Sequence, residues 1–287
     1  MLNFGIGTLI TDESIPTVEL ARWAEDQGFE SLFMGAHSHI PTSRKTPFFS
    51  GELPEYYQHF PDPFIELTAA ATVTQKLKVG TGVCLVTEHH PISLAKTVAT
   101  LDRLSQGRFI FGIGAGWNVE EMAHHQVEFK DRWQVTRERV FAMKEIWAHD
   151  EAESHGRFVD FDPIWCWPKL VQAGGPPMLM GVGANKWAPK RIVEYCNGWF
   201  PVDGLDDVAG GVEALRTEAS RSGRSREEFD LSVLAAYAVY GATGAESRIR
   251  ELSALGFTRI VLLLEPAPPD TQWPVLEQYA RLVKTFR

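Results

Sequence analysis

LKVGTGVCLVTEHHPISLAKTVATLDRLSQGRFIFGIG, residues 77–114, holds the pattern that decides the fold. Two short, nearly continuous apolar runs, 77–84 and 108–114, bracket a helical stretch. A strand buried on both faces reads as an unbroken apolar run, because neither side of its pleat meets water. The unit recurs along the chain. Further runs are LNFGIGT (2–8), ESLFMG (30–35), PMLMGV (177–182), GWFPV (198–202), LSVLAAYAV (231–239) and RIVLLL (259–264), and a helical pattern follows each. In 133–149, Val140, Met143 and Trp147 share one helix face, as do Leu276, Tyr279, Val283 and Phe286 in 272–286. Eight β-then-α units with right-handed crossovers close most simply into an α/β (β/α)8 TIM barrel, one domain over 1–287. A doubly wound open sheet is the alternative, and eight units without a long linker favour the barrel.

Local signals mark the boundaries. Asp62 before Pro63 reads as an N-cap with proline at the first helical position. Thr243 with Glu246 fits a capping box. Gly28–Phe29, Gly198–Trp199 and Gly256–Phe257 read as helix stops that lead an aromatic into the next strand. Two connections are long, 36–61 after strand 2 and 150–176 after the fourth helix. Such loops serve as lids or insertions. In a barrel the active site forms from the loops that follow the strands.

Composition narrows the partners. The 287 residues carry a net charge of −9, which repels nucleic acid and anionic membranes and favours small-molecule ligands. Three dispersed cysteines, Cys84, Cys166 and Cys196, fit a reducing cytosol rather than a disulfide framework. The first residues lack the basic region of a signal peptide, and no apolar run is long enough to span a membrane. A cytoplasmic location is expected.

FMGAHSHIP (33–41) ends a strand with His37 and His39, a spacing that can present two imidazoles to one metal ion. A metal site needs further ligands at other strand ends. Those ends offer only Asp203 and Glu265, and no histidine follows His155. No metal is expected. The pairs His89–His90 and His124–His125 point in divergent directions, and His90 and His125 are read as loop polarity and helix capping. The strand ends are instead rich in glycine: GTGVC (80–84), GIGAGWN (112–118) and GVGAN (181–185). Glycine lets a flat ring or a phosphate approach the backbone, and close packing of helix on strand needs it equally. Three such ends on one face point to a bound cofactor. GVGANKWAPK, with Lys186 and Lys190, suits a phosphate at a helix N-terminus. GIGAGW is not a dinucleotide fingerprint, since 118–132 shows no immediate helix of the required kind.

The stretches 77–122, HGRFVDFDPIWCWPK (155–169) and PPMLMGVGANKWAPKRIVEYCNGWFP (176–201) resemble the luciferase-like oxidoreductases, most closely their actinobacterial branch assigned to the deazaflavin coenzyme F420. The resemblance runs almost end to end. It implies a ring bound over the C-terminal face of the barrel and a homodimer. It also implies a non-proline cis peptide after strand 3, here Gly82–Val83, with Val83 and Cys84 backing the ring. His37 matches a histidine near the reactive face. Gly114, Ala115 and Gly116 border the ring, and Gly181, Val182, Gly183, Ala184 and Asn185 hold the phosphate.

Two positions depart from the alcohol and sugar-phosphate dehydrogenases of the superfamily. Ala115 stands where a glutamate proton donor is found, and Ala36 stands where an acidic residue often precedes the histidine. Glu120 and Glu121 are read as a solvated face. The leading expectation is hydride transfer between coenzyme F420 and a small organic substrate, with His37 as the catalytic proton relay. Loop 42–60, with Phe48, Phe49, Tyr56, Tyr57 and Phe60, forms an apolar lid, and Trp117, Trp165 and Trp167 shape the pocket. An FMN-dependent luciferase-like monooxygenase and a non-catalytic flavin-binding protein are the alternatives.

Overall fold

The computed structural model describes residues 2–35, 37–48 and 51–287, with the backbone alone over 237–243. Ala36 and Phe49 therefore lie outside the described residues. The barrel strands are β1 (Asn3–Thr8), β2 (Ser31–Met34), β3 (Lys78–Thr81), β4 (Cys84–Leu85), β5 (Phe109–Gly114), β8 (Met178–Met180), β9 (Gly198–Trp199), β10 (Asp230–Ala235) and β11 (Arg259–Leu264). The strands β6 (Glu151–His155) and β7 (Asp160–Trp165) form a separate antiparallel hairpin. All barrel pairings are parallel, in the order β3-β2-β1-β11-β10-β9-β8-β5-β4. A further β3–β5 pairing closes the ring. The segment β4 continues the line of β3 past Gly82–Val83, so β3 and β4 together make one of eight staves.

Phe33, Ile110, Leu179, Phe200 and Val261 are buried together in a cluster of their own, apart from the larger core between sheet and helices. That division is the layered packing of a filled barrel rather than a pore. Asp62 caps the helix Pro63–Val73 by accepting from Phe64 N and Ile65 N. Gly28 (φ 79°) and Gly256 (φ 107°) take the left-handed conformation that ends their helices. Gly198 is instead inside β9, where a Cβ would sit 2.1 Å from the Asp230 carbonyl oxygen.

At the opposite end of the staves, Arg259 ties its own strand to β10 and to the start of β2. Its guanidinium meets Glu30 at 2.9 and 3.0 Å, Asp230 at 2.6 Å and Ser232 Oγ at 2.7 Å. Lys78 adds a 2.8 Å contact to Glu30. Burial opposes ionisation of Glu30, yet the hydrogen bonds and charges of Arg259 and Lys78 hold its carboxyl down at about 2.

Three sequence expectations change. The apolar run 231–239 is not one strand: β10 stops at Ala235 and a helix, Tyr237–Leu255, begins. Periodicity cannot separate a buried helix start from a strand in so short a run. Thr243 then lies inside that helix, where its side chain is outside the description, and is not an N-cap. A six-residue helix, Val119–His124, follows Trp117 directly, capped by Asn118. Of the two readings of residues 150–176, a lid or an insertion, the insertion holds. These residues carry the β6–β7 hairpin on a helix-to-strand connection, and such connections lie at the end of a barrel opposite its active face.

Candidate active site

A cavity of about 730 Å³ opens where β1, β2, β3, β10 and β11 end. Its walls are mostly apolar and aromatic: Phe33, Phe48, Tyr57, Trp117, Phe200, Leu234 and Leu263, with Gly82 and Val83 at the interrupted stave. The polar side chains are few: Thr8, His37, Tyr56, Asp203 and Glu265. Among the described residues no lysine or arginine lines it. Arg248 approaches from behind and holds buried Asp203 through two contacts, 2.7 and 3.1 Å. Burial raises Glu265, against a hydrogen bond from Tyr56 that lowers it.

The Gly82–Val83 peptide is cis. Val83 packs into space left by two glycines. A Cβ at Gly181 would lie 2.6 Å from Val83 Cγ1, and one at Gly114 would lie 3.0 Å from Val83 Cγ2.

His37 is nearly buried, with its side chain 9% exposed. Its Nε2 accepts from Trp117 Nε1–H at 3.1 Å, so Nδ1 carries the proton and donates to Glu121 at 2.7 Å. This tautomer follows from the hydrogen-bond network. Burial, against the charge of Glu88, lowers the His37 pKa and favours the neutral ring. Tyr57 and Phe60 flank the ring at 5.7 and 6.5 Å between centroids. Glu88 completes the group. One atom from each of His37, Glu88 and Glu121 lies within 4.8 Å of the others, a spacing that would also admit a small cation. Burial, then the charge of Glu121, pushes Glu88 up to about 8. Burial pushes Glu121 up to about 7.

Glu121 is thus not on a solvated face: it is 1% exposed. It sits in the first turn of the helix that Asn118 caps, turned toward the barrel. Glu120, beside it, turns outward and accepts from Lys45 N (2.7 Å), Thr46 N (3.2 Å) and Thr46 Oγ1 (2.5 Å) on the loop after β2. The His-x-His pair separates. His39 goes to His124 at 2.7 Å, and Ser38 Oγ joins His39 and His125.

Matching the whole sequence against family models aligns residues 9–259 with the luciferase-like monooxygenases. The chain belongs to that family. An uncharacterized protein of Mycobacterium tuberculosis is 36% identical to this luciferase-like chain over 227 residues, 78% of this chain and 80% of that one. An F420-dependent glucose-6-phosphate dehydrogenase of Amycolatopsis mediterranei is 29% identical over 58% of this chain and 50% of its own length. An FMNH(2)-dependent dimethylsulfone monooxygenase of Pseudomonas putida is 26% identical over 55% and 44%. In fold, the luciferase-like barrel superposes along its full length on the monooxygenase RslO1 of Streptomyces bottropensis, with a TM-score of 0.82 at 20% identity and full coverage of both chains. It also superposes on the coenzyme F420 dependent tetrahydromethanopterin reductase of Methanopyrus kandleri, with a TM-score of 0.76 at 18% identity, covering 100% and 99%.

Of the site residues expected from sequence, His37, Gly82 and Val83 line the luciferase-like cavity together. Cys84 is buried behind it, 3% exposed, with its thiol pKa raised first by burial. Ala115 is buried at 3%, and Gly114 faces Val83. The turn Gly181–Asn185 lies outside the cavity wall. Ala184 N and Val202 N donate to the Asp206 carboxylate at 3.2 and 3.0 Å, and Asn185 Oδ1 accepts from Trp187 N and Ala188 N. Trp165 and Trp167 are 78% and 54% exposed on the hairpin side and do not shape the pocket. Trp117 does. Glu88 and Glu121 were missed as site residues. Asn118, Val119, Glu120, Glu121 is a helix start by its cap, and that cap was the available signal.

Proposed function

We propose that the chain binds a deazaflavin of the coenzyme F420 type in the 730 Å³ cavity and couples hydride transfer to proton transfer on a neutral, apolar organic substrate. The observation that carries this reading is a neutral, buried His37 set in an aromatic wall at the mouth of a luciferase-like barrel. The residues fit such a ring. Thr8 Oγ1 is buried with no hydrogen-bond partner and lines the cavity, leaving a donor for a ring heteroatom. Phe33, Val83 and Phe200 give the ring apolar contact, and Gly82 adds open backbone. Gly114 and Gly181 act one step back, by seating Val83. A bound deazaflavin would supply or accept the hydride; the protein orients and dries the site.

His37 holds one proton at Nδ1 and offers Nε2 once Trp117 yields it, which suits proton exchange near neutral pH. Phe48, Tyr56 and Tyr57, from the described parts of the connection after β2, close the cavity. Both charged groups of the wall are acidic, Asp203 and Glu265, which disfavours a phosphorylated substrate in this cavity. Titration with coenzyme F420 and separately with FMN, followed by absorbance and fluorescence, tests the reading. Micromolar or tighter binding of the deazaflavin, with His37→Ala cutting kcat about 100-fold and leaving affinity within a few-fold, is expected. Equal losses in both would refute the proton role of His37. The FMN-dependent relative motivates a second reading, an FMN-dependent monooxygenase. Oxygen consumption with reduced FMN but not with reduced F420 would establish it.

A further inference from the structure

The loops after β2, β4 and β5 deliver His37, Glu88 and Glu121 to one point. Glu121 Oε1 and Glu88 Oε1 are buried and make no hydrogen bond of good geometry, although the Ser38 and His39 amides lie near enough to Glu121 to favour its charge. The other two oxygens are served, Glu121 by His37 Nδ1–H and Glu88 by Ser38 N at 3.0 Å. No lysine or arginine among the described residues forms an ion pair with either carboxyl. The basic side chain on the neighbouring helix, Arg139, donates from one nitrogen to the Val86 carbonyl at 2.9 Å, keeps its Nε buried without a hydrogen-bond partner, and forms no ion pair with either carboxyl. The titratable groups facing the pair are His37, the buried Cys84 thiol, and one another, with His39 and Tyr57 beside His37. Two ionised carboxylates at this spacing, Glu121 buried and Glu88 half-buried with its Oε1 shut off from water, repel without a cation between them; one shared proton removes the repulsion and gives the orphaned oxygens a donor.

We infer that Glu88 and Glu121 form a proton reservoir, holding one proton between them and exchanging it with the reacting centre through the Glu121–His37 hydrogen bond. The inference rests on the proposed role of His37. When a substrate hydroxyl is oxidised, its carbon-bound hydrogen would leave as hydride to the oxidised deazaflavin of the proposed function, and its proton goes to His37 Nε2 as the Nδ1 proton passes to Glu121, so the pair then holds two protons. Reduction reverses each transfer, so the proton count balances. Glu88 touches neither substrate nor His37 in this scheme; it is a positioning residue that sets how readily Glu121 accepts. The raised values of about 8 for Glu88 and about 7 for Glu121 agree with one shared proton near neutral pH.

The test begins on the protein without cofactor, so it does not depend on the deazaflavin reading. Infrared difference spectra between pH 6 and pH 9 should show the C=O band of a protonated carboxyl at pH 6 that disappears as the pH rises, and that is absent in Glu88→Gln. Nitrogen-15 histidine NMR should report His37 as the neutral Nδ1–H tautomer. In the F420-loaded enzyme, Glu121→Gln should lower kcat about 100-fold with the deazaflavin Kd within a few-fold. Glu88→Gln should move the pH profile of kcat/KM by about one pH unit. Absence of the carboxyl band in the wild-type protein, a pH profile of Glu88→Gln superimposable on wild type, or a stoichiometric divalent metal in the purified protein lost from Glu121→Gln would each overturn the proposal. Failure to bind either cofactor, with the carboxyl band present, would overturn the function and leave the reservoir standing.

Discussion

Replacing Arg259 with methionine should separate the stability of this barrel from its chemistry. Arg259 is 4% exposed and satisfies Glu30, Asp230 and Ser232 from the end of the barrel opposite the cavity. Removing one partner of a buried ion pair costs about 3–5 kcal/mol, because the other charge stays buried. Glu30 gives an independent figure: holding its carboxyl at about 2 rather than 4.5 corresponds to about 3 kcal/mol of stability. At roughly 2.1 cal/mol/K of unfolding entropy per residue, a chain of this length should lose about 5–8 °C in Tm. The pH dependence has a definite sign. A depressed carboxyl contributes stability above its unfolded pKa of 4.5 and loses it as pH falls toward 2. The gap between wild type and variant, measured by urea unfolding, should be widest near pH 7 and narrow steadily below pH 4.5. Cofactor affinity of the folded variant should match wild type. A Tm loss under about 2 °C, or a gap independent of pH, would refute the argument.

Gly181→Ala should push Val83 toward the cavity, since the new methyl would lie 2.6 Å from its Cγ1. A loss of about tenfold in cofactor affinity is expected, largely restored in the Gly181→Ala/Val83→Ala double variant; no restoration would mean that Gly181 acts on the ligand directly. Glu120→Ala should release the loop after β2 by removing three hydrogen bonds, seen as faster proteolytic cutting within 42–53 and a higher KM. An unchanged cutting rate would show that the aromatic contacts of Tyr56, Tyr57 and Phe60 hold the loop unaided.

The eight-unit rhythm made the barrel legible, because strands buried on both faces leave unbroken apolar runs that survive any detail of packing. His37 and Gly82–Val83 were legible because they end such runs. Glu88 and Glu121 were not. Glu88 ends the short 3-10 turn after β4 and Glu121 lies in the first turn of the helix after β5, both among polar neighbours, and only the closing of three loops shields them from water. Trp165 and Trp167 misled for the opposite reason. They are large and apolar by type, but their loop follows a helix, and in a barrel that fact alone assigns it to the far end. The glycines carried two readings throughout: Gly114 and Gly181 make room for a side chain of the protein itself.

Adjacent carboxylates on one helical turn serve different masters. Glu120 latches the loop that covers the cavity, and Glu121 holds the imidazole beneath it. A shift of that single turn large enough to release the latch also disturbs the imidazole. Opening of the cavity and the setting of that imidazole are therefore tied to the same few atoms, and on the proposed proton role of His37 a slow turnover would be set by the rocking of six residues rather than by any bond that is made or broken.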